Sequence, residues 1–341
     1  MRQKRGQLFY RSFKNGLRMN REAGEAPLLV LQELVEPVAQ ARGVRLVLLR
    51  DDLTHPELPG NKWRKLKYNL LEARRQGHDT LLTFGGAYSN HLAAVAAAGR
   101  LTGLRTIGVV RGEELQNSPA SALNPTLAQA VADGMQLLYL DRATYRRKQE
   151  QAVLAGLLLQ TGPAYIIPEG GSNALALPGC AELVTALQDQ LPFDYLCVAC
   201  GTGGTLAGLL TGLQGAQQAV GVAALKGGEF LRQEVDALTQ AGTGQAFTNY
   251  SLQTQYHAGG YARFSPEILG FIRSFQERYD VLLDPVYTGK LLWAVLDLLK
   301  QGYFPPGSTV VAVHTGGLQG WAGFRQRFGN RSAWWPEGSA G

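Results

Sequence analysis

Short runs of apolar residues alternate with longer amphipathic stretches along most of the chain. The short runs are rich in Val, Ile and Leu, which is typical of strands that are buried on both faces of a sheet. The predicted strands are residues 44–50, 79–84, 105–111, 135–140, 164–169, 193–200, 219–225 and 308–317. The stretches with helical spacing are residues 61–77, 89–103, 124–135, 144–162, 204–215 and 290–302. This alternation predicts an α/β protein with mainly parallel sheets covered by helices.

Length and composition indicate a folded protein with more than one domain. A chain of 341 residues is long enough for about two domains. Its 45% hydrophobic and 18% charged residues are ordinary values for a globular protein with a core. Because no long linker interrupts the pattern, the second domain is predicted to be an insertion within the first.

The positive charge is concentrated at the N-terminus. The net charge is +6, and the first 21 residues carry seven Lys or Arg side chains and no acid. Residues 1–25 are therefore interpreted as a basic, disordered extension, with a transit-like leader or a start codon upstream of Met19 as alternatives. The rest of the chain is near neutral, so no nucleic-acid partner is predicted. No apolar run approaches the ~20 residues that a membrane span needs, and no membrane association is predicted.

The three cysteines favour a reducing compartment, and a cytoplasmic location is predicted. They are Cys180, Cys197 and Cys200. Cys197 and Cys200 form a C-x-x-C within a predicted buried strand, where residues three apart point to opposite faces. We therefore expect neither a disulfide nor a metal site from this pair.

The stretch LPGNKWRKLKYNL, residues 58–70, places four cations directly after a Gly-Asn pair. They are Lys62, Arg64, Lys65 and Lys67. Asn61 is a good N-cap, so Lys62 is expected in the first turn of a helix. The helix dipole disfavours a cation there and favours the neutral amine, which is the form that Schiff-base chemistry needs. The alternative interpretation of this run is the solvated basic face of a helix.

Two turns between a strand and a helix have the pattern of anion sites. In TFGGAYSNHLAA a helix begins near Ser89 and Asn90, and its N-terminus can bind an anion, although an ordinary turn has the same pattern. In CGTGGTLAGLL the turn at residues 201–205 can present successive N–H groups to a phosphate. A P-loop lysine is missing, and Lys226 stands where a dinucleotide site would have an acid. The pattern predicts a monophosphate site and argues against a nicotinamide-dependent oxidoreductase.

The motifs DPVYTGK, residues 284–290, and HTGG, residues 314–317, lie where strands pass into loops. Ligand sites of α/β proteins collect at such places. Tyr287 can act as an acid, a base or a hydrogen-bond donor, and Thr288 and Thr315 are neutral donors. A reactive lysine, a monophosphate site, a second anion site and neutral polar groups together suit pyridoxal 5'-phosphate and an amino-acid substrate.

In this order and spacing, GNKxRK, SN after GG, TGGT, DPVYTGK and HTGG resemble the motifs of one enzyme family. The chain resembles the fold-type-II pyridoxal-phosphate enzymes (tryptophan synthase β-like), and in particular the D-cysteine desulfhydrase and 1-aminocyclopropane-1-carboxylate deaminase family. The resemblance runs from about residue 28 to about residue 326. It implies a large cofactor-binding domain, residues 26–70 plus 165–341, an inserted small domain, residues 71–164, and a homodimer.

The resemblance implies a role for each motif residue. Lys62 would bind the cofactor covalently and act in catalysis with Ser89, Tyr261 and Tyr287, and Ser89 matches the nucleophile proposed for the deaminase. Thr288 would face the pyridine nitrogen. The positions that match the phosphate site are Lys65, Asn90, Gly201, Thr202, Gly203, Gly204 and Thr205. The positions assigned to the substrate are Ser89, Asn90, His91 and Thr315. No such role is expected for Arg64 or Lys67.

Two threonines indicate which reaction the enzyme performs. Ring-opening deaminases of the resembled family have Glu and Leu at the positions of Thr288 and Thr315, whereas the desulfhydrases have hydroxyl residues as here. A hydroxyl stabilises a protonated pyridine less than a carboxylate does, which suits β-elimination. We expect D-cysteine to give pyruvate, ammonia and sulfide.

Other activities remain open because the chain departs from the family pattern beside the helix at Ser89. Tyr88 replaces the usual Gln, and Ala93 replaces an Arg. These changes affect the region of the substrate carboxylate. The alternatives are ring opening of 1-aminocyclopropane-1-carboxylate, dehydration of another β-substituted amino acid, or cofactor binding without turnover.

Overall fold

The computed structural model describes residues 29–55, 57–116 and 124–329, without the side chains of residues 327 and 328. The predicted N-terminal extension, residues 1–25, lies outside the described residues. All eight predicted strands are present, seven of them within two residues of their predicted ends, whereas the strand predicted at 308–317 already ends at Val313. Together with two further short strands they form two sheets. This result confirms the prediction of an α/β fold with mainly parallel sheets.

The larger sheet has six strands. They are β1 (Leu31–Glu33), β2 (Arg45–Leu49), β7 (Tyr195–Cys200), β8 (Gln218–Ala223), β9 (Tyr250–Gln253) and β10 (Thr309–Val313). Their order across the sheet is β1-β2-β10-β7-β8-β9, and only β1 runs antiparallel to its neighbour. The central strands are buried along almost their whole length, as parallel strands covered on both faces must be.

The smaller sheet has four parallel strands. They are β3 (Thr80–Gly85), β4 (Arg105–Arg111), β5 (Met135–Leu140) and β6 (Tyr165–Ile167), in the order β5-β4-β3-β6. The resemblance implies a small domain that ends at residue 164, and the smaller sheet extends three residues past this position, to Ile167. Tyr165–Ile167 pairs in parallel with Leu81–Thr83 of β3, because this apolar run completes the edge of the smaller sheet.

Helices cover the sheets. They are α1 (Pro37–Ala41), α2 (Asn61–Arg75), α3 (Asn90–Thr102), α4 (Pro125–Ala132), α5 (Arg142–Arg146), α6 (Gln151–Thr161), α7 (Leu177–Gln188), α8 (Gly204–Leu213), α9 (Leu231–Thr243), α10 (Pro266–Tyr279), α11 (Thr288–Lys300) and α12 (Gly320–Phe328). The single helix predicted at 144–162 is two helices, and five others were not predicted. No helix in the described ranges is long and apolar enough to cross a membrane.

The two faces of the larger sheet pack into separate cores. Cys197 of β7 belongs to one core and Cys200 to the other, so these two side chains do point to opposite faces. All three cysteines are buried and free. The described residues contain no group of three or more side chains arranged to hold a metal ion.

Helix α2 connects the two sheets. Leu66, Leu70 and Ala73 pack in the core of the smaller sheet. The other side of α2 contacts α7 so closely that a Cβ atom on Gly179 would lie 2.0 Å from the Arg64 carbonyl oxygen. This packing places the N-terminus of α2 between the loops that follow β3, β7 and β10.

Candidate active site

A cleft of about 1660 Å³ lies at the N-terminus of α2. The loops at the carboxyl ends of β3, β7 and β10 line it, which is the usual place for a site in an α/β protein. It brings together all but one of the predicted site residues. Those that line it are Lys62, Lys65, Ser89, Asn90, His91, Gly201, Thr202, Gly203, Gly204, Thr205, Tyr261, Tyr287 and Thr315.

Lys62 lies in the first turn of α2 with its amine largely enclosed. Burial, together with the nearby charge of Lys65, lowers the pKa of Lys62 to about 7. Its Nζ donates a hydrogen bond of 3.0 Å to Asn61 Oδ1. The low pKa agrees with the neutral amine expected from the sequence, although burial is its main cause. A large fraction of Lys62 is therefore nucleophilic near neutral pH.

The start of α2 differs from the prediction at Asn61. The residue before the helix is Gly60, at φ 62°, and Asn61 is the first helical residue. Asn61 does not cap the helix; its Nδ2 donates to Thr205 Oγ1 at 3.0 Å. It thereby connects Lys62 to the loop after β7. Sequence reasoning missed this role because the partner of Asn61 is distant in the chain.

Gly60 allows α2 to approach the loop after β10. A Cβ atom at Gly60 would lie 2.4 Å from the carbonyl oxygen of Thr315, which is too close for any other residue. Thr315 is 7% exposed and lines the cleft. This contact places Thr315 in the same part of the cleft as the first turn of α2.

Lys65 is one turn further along α2, and it is 3% exposed. Burial lowers the pKa of Lys65 to about 8. Its Nζ donates to the carbonyl oxygen of Gly170 and lies 3.5 Å from Ser172 Oγ. Ser172 Oγ is in turn 2.6 Å from Thr202 Oγ1. The Ser172 hydroxyl group thus bridges Lys65 and the loop after β7. Ser172 is a site residue that the sequence did not reveal.

The loop at residues 201–205 has the geometry of an anion site. Gly203 adopts φ 77°, and a Cβ atom at Gly204 would lie 2.4 Å from Ser172 Oγ. The loop opens helix α8, whose first N–H groups have no acceptor within the described part of the chain. Donors that converge in this way, beside Lys65, suit a phosphate group.

The N-terminus of α3 forms another wall of the cleft. Ser89 is the N-cap of α3 and accepts from the N–H group of Leu92 at 3.4 Å. Asn90 and His91 are buried, and Asn90 Oδ1 and His91 Nδ1 have no hydrogen-bond partner among the described residues. Burial and the charge of Lys65 lower the pKa of His91 well below its usual value, so the imidazole is neutral.

Tyr261 and Tyr287 form a pair at one side of the cleft. Their ring centroids are 6.0 Å apart in an edge-to-face arrangement. A Cβ atom at Gly201 would lie 3.0 Å from the Tyr287 hydroxyl group, which therefore stands directly against the loop after β7. Burial, and then Tyr261, raises the pKa of Tyr287 well above its usual value. Tyr287 is thus a proton donor and not an anion at neutral pH.

Thr288 does not line the cleft, contrary to the expectation that it faces the cofactor. It is 0% exposed, and its hydroxyl group donates to Asp284 Oδ2 at 2.6 Å. Asp284 also accepts from the N–H groups of Val286, Tyr287 and Thr288 at 2.8 to 2.9 Å. A buried carboxylate must gather such donors, and this requirement turns Thr288 away from the cleft.

The basic run in α2 is not a solvated face. Arg64 is 8% exposed and forms a buried ion pair with Asp51 at 2.6 Å. Lys67 pairs with Glu182 at 2.6 Å. Neither residue lines the cleft, as expected, and both have structural partners that the sequence did not identify.

The two departures from the resembled pattern, Tyr88 and Ala93, both line the cleft. Tyr88 is 38% exposed and rests against Gly323 of α12, where a Cβ atom would lie 2.5 Å from the ring. Tyr88 therefore joins the loop after β3 to the C-terminal helix. Ala93 leaves the first turn of α3 without a long side chain.

The arrangement fits pyridoxal 5'-phosphate. A nearly neutral amine, at Lys62, suits the aldehyde of the cofactor. The free N–H groups at residues 202–205 and the Lys65 amine suit its phosphate. The unpartnered buried atom Asn90 Oδ1 and the hydroxyl group of Thr315 offer polar contacts between these two ends.

Comparisons with known proteins agree with this fit. The family model described as "Pyridoxal-phosphate dependent enzyme" matches residues 20–316. The chain is 31% identical over 307 residues to the bifunctional D-cysteine desulfhydrase/1-aminocyclopropane-1-carboxylate deaminase, mitochondrial, of Arabidopsis thaliana, covering 82% of this chain and 73% of that protein. It is 30% identical over 286 residues to the D-cysteine desulfhydrase of Salmonella typhi, covering 81% and 87%. A crystal structure described as an ACC deaminase homologue superimposes with a TM-score of 0.77 at 28% identity, covering 93% and 97%.

Proposed function

Because this chain belongs to the family of pyridoxal-phosphate-dependent enzymes, we propose that it is a lyase that eliminates the β-substituent of a small amino acid, with D-cysteine as the substrate. The observation that carries the proposal is the position of Thr315, a hydroxyl-bearing residue that lines the cleft beside the first turn of α2. The D-cysteine desulfhydrase activity in the names of two relatives supports the same reaction.

Each wall of the cleft has a task in this proposal. Lys62 holds the cofactor and the loop at 201–205 holds its phosphate, with Lys65 as the balancing cation. When bound, the cofactor withdraws electrons from the α-carbon of the amino acid. The N-terminus of α3, with Ser89, Asn90 and the neutral His91, binds the substrate carboxylate.

The chain's own groups move the protons. The Lys62 amine is free again once the substrate's amino group has replaced it on the cofactor, and it then removes the α-proton of the substrate. The bond between the β-carbon and sulfur then breaks, and sulfur leaves with the bonding electrons. Tyr287, which keeps its proton, is placed to donate to the departing group. The released enamine takes up water, so D-cysteine and water give pyruvate, ammonia and hydrogen sulfide.

Thr315, and not Thr288, is the hydroxyl group assigned to the pyridine nitrogen in this proposal. Thr288 is held by Asp284, so it has no direct part in selecting the reaction. A neutral hydroxyl group leaves the pyridine unprotonated and a weaker electron sink. This favours a reaction in which the leaving group departs quickly.

Ring opening of 1-aminocyclopropane-1-carboxylate is the second candidate. The name of the Arabidopsis relative includes this activity. Ser89, the position proposed as nucleophile in that reaction, lines the cleft. Its hydrogen bond with Leu92 is long, at 3.4 Å, and leaves the hydroxyl group available.

We also propose that the enzyme is a cytoplasmic homodimer. Apart from its second subunit, it binds a small amino acid as substrate and neither nucleic acid nor membrane. The three buried, unpaired thiols support a reducing compartment. Light scattering of the purified enzyme should give twice the mass of one chain.

The first experiment offers one amino acid at a time to the cofactor-loaded enzyme. The substrates are D-cysteine, L-cysteine, D-serine and 1-aminocyclopropane-1-carboxylate. Pyruvate, sulfide and α-ketobutyrate are measured. We expect pyruvate and sulfide in equal amounts from D-cysteine. Lys62→Ala should lower the rate by about a hundredfold or more.

Lys67→Ala is the matched control, because Lys67 lies on the same helix but outside the cleft. It should leave the rate unchanged. Production of α-ketobutyrate alone would replace the first candidate with the second. Cofactor absorbance without any product from the four amino acids would contradict both.

A further inference from the structure

The fully buried lysine of the DPVYTGK motif has no part in the reaction proposed above. Lys290 is 0% exposed and does not line the cleft. Its Nζ donates 2.8 Å hydrogen bonds to the carbonyl oxygens of Ala224 and Gly260. A lysine loses much conformational freedom and hydration when it is buried, so such a contact needs a reason.

The Gly260 carbonyl belongs to a strained loop that carries Tyr261. Ala258 and Ala262 adopt φ values of 51° and 49°, in a region that residues with a side chain rarely occupy. Gly259 and Gly260, between them, also have positive φ. Strained backbone of this kind persists only where its surroundings hold it in place.

Lys290 supplies that hold. The other backbone hydrogen bonds of residues 257–263 close within the loop, as far as the structure describes the chain. They link Gly260 to His257 and Arg263 to Gly260. Among the described residues, the hydrogen bond from Lys290 is the one that joins this backbone to the body of the protein, against which the side chains of Ala258 and Ala262 also pack.

The second carbonyl group, that of Ala224, connects Lys290 to the loop at residues 201–205. Ala224 follows β8, and its N–H group donates to the carbonyl oxygen of Cys200 at 2.9 Å. Cys200 directly precedes the loop at residues 201–205. Tyr287, three residues before Lys290, stands against Gly201 in that loop. The Lys290 ammonium group therefore lies close to the loop that carries Tyr261, to the turn that carries Tyr287 and to the loop at residues 201–205.

We infer that Lys290 is a positioning residue that holds the strained loop at 257–263, and so keeps Tyr261 against Tyr287 in the cleft. Tyr261 is 44% exposed, and its ring contacts Tyr287 edge to face. Without the bond to Gly260, the loop relaxes and Tyr261 leaves the pair. The effect on the reaction rests on the proposed function, whereas the effect on the loop does not.

The first test is hydrogen–deuterium exchange on the cofactor-free protein, which needs no substrate. Lys290→Met removes both hydrogen bonds at nearly constant length. We expect amides of residues 258–263 to exchange about tenfold faster than in the wild type, while strand β4 is unchanged. Equal acceleration in β4 would mean general destabilisation, and unchanged exchange in the loop would overturn the inference.

Lys300→Met is the matched control, because it makes the same substitution in the same helix at an exposed residue. It should leave the exchange of both segments unaltered. Lys290→Gln, which keeps a shorter donor, is the second variant in case Lys290→Met does not fold. It should give an intermediate exchange rate.

The second test is a double-mutant cycle with Tyr261→Phe in the elimination reaction. Lys290→Met should lower kcat by about tenfold with little change in KM, because it disturbs positioning and not binding. In the Tyr261→Phe background the same substitution should lower kcat by less than about twofold. If the two substitutions lowered kcat independently, so that their fold-changes multiplied in the double variant, the inference would be overturned. A wild-type enzyme inactive on all substrates would contradict the proposed function alone, since the exchange result stands separately.

Discussion

At the scale of single residues, the site depends on side chains whose ordinary charge is suppressed. Lys62, Lys65 and Lys290 all have lowered pKa values, and burial is the first cause in each case. His91 is kept neutral in the same way. Burying these groups lowers the free energy of unfolding, because they lose their hydration. In return, the cleft holds an amine, Lys62, that is partly neutral near pH 7 and can attack a carbonyl carbon. Lys65, with a pKa of about 8, keeps most of its charge at that pH and can bind a phosphate.

The pH dependence of cofactor capture tests the state of Lys62. Because its pKa is lowered to about 7, the neutral fraction of the amine rises from pH 6 to pH 8 and then levels off. The rate at which cofactor-free enzyme takes up pyridoxal phosphate should follow that rise, measured by stopped-flow absorbance. A rate that keeps increasing through pH 9 would indicate a lysine with an ordinary pKa.

At the scale of elements, hydrogen bonding within one turn decides which threonine can act. Asp284 draws three N–H groups and the Thr288 hydroxyl group onto its carboxylate at the start of α11. Thr315 follows β10 and lines the cleft. The motifs that contain the two threonines look equally functional in the sequence, but only Thr315 lines the cleft.

Two isosteric substitutions separate these roles. Thr288→Val removes a hydrogen bond to a buried carboxylate and should lower the free energy of unfolding by about 1.5–3 kcal/mol. Its kcat/KM below the melting temperature should stay close to wild type. Thr315→Val should instead lower kcat/KM by about tenfold, equivalent to about 1.4 kcal/mol, with a smaller loss of stability. Melting curves and steady-state rates check this prediction. If Thr288→Val lowered kcat/KM and Thr315→Val mainly lowered stability, Thr288 would again be the residue assigned to the pyridine nitrogen.

The sequence predicted most elements of the fold but not every contact of the site. The eight long apolar runs were sufficient to identify their strands, whereas β1 and β9 are short and pair only at the edges. Helix α10 was missed although Ser265 and Pro266 form a usual N-terminal signal. Asn61, Ser172 and Asp284 were missed as site residues because their functions depend on distant partners or on the geometry of one turn.

At the scale of the whole molecule, buried titratable groups make stability depend on pH. The unfolded chain holds protons on its lysines up to about pH 10.4, whereas folded Lys62 loses its proton near pH 7 and Lys65 and Lys290 near pH 8. Between pH 7 and pH 9 the unfolded state thus binds more protons. Stability must rise with pH in this window, by up to about 1.4 kcal/mol per unit for each lysine.

Above about pH 10.4 the sign reverses, because the lysines of the unfolded chain have then also lost their protons. Burial raises the pKa of Cys180 to about 11 and of Cys200 to about 12, so the folded state keeps protons that the unfolded state loses. The midpoint of urea unfolding of the cofactor-free enzyme should therefore increase from pH 7 to about pH 10 and then fall. A midpoint that declines from pH 7 onward would show that these lysines are charged in the folded protein.

The contact between Gly60 and the carbonyl oxygen of Thr315 joins an early part of the chain to a late one. During synthesis the ribosome releases the helix of Lys62 long before the segment that follows β10. A nascent chain therefore has its reactive lysine in solution without the wall that completes the cleft. We therefore expect the complete cleft, and with it full affinity for the cofactor, only when translation is nearly finished.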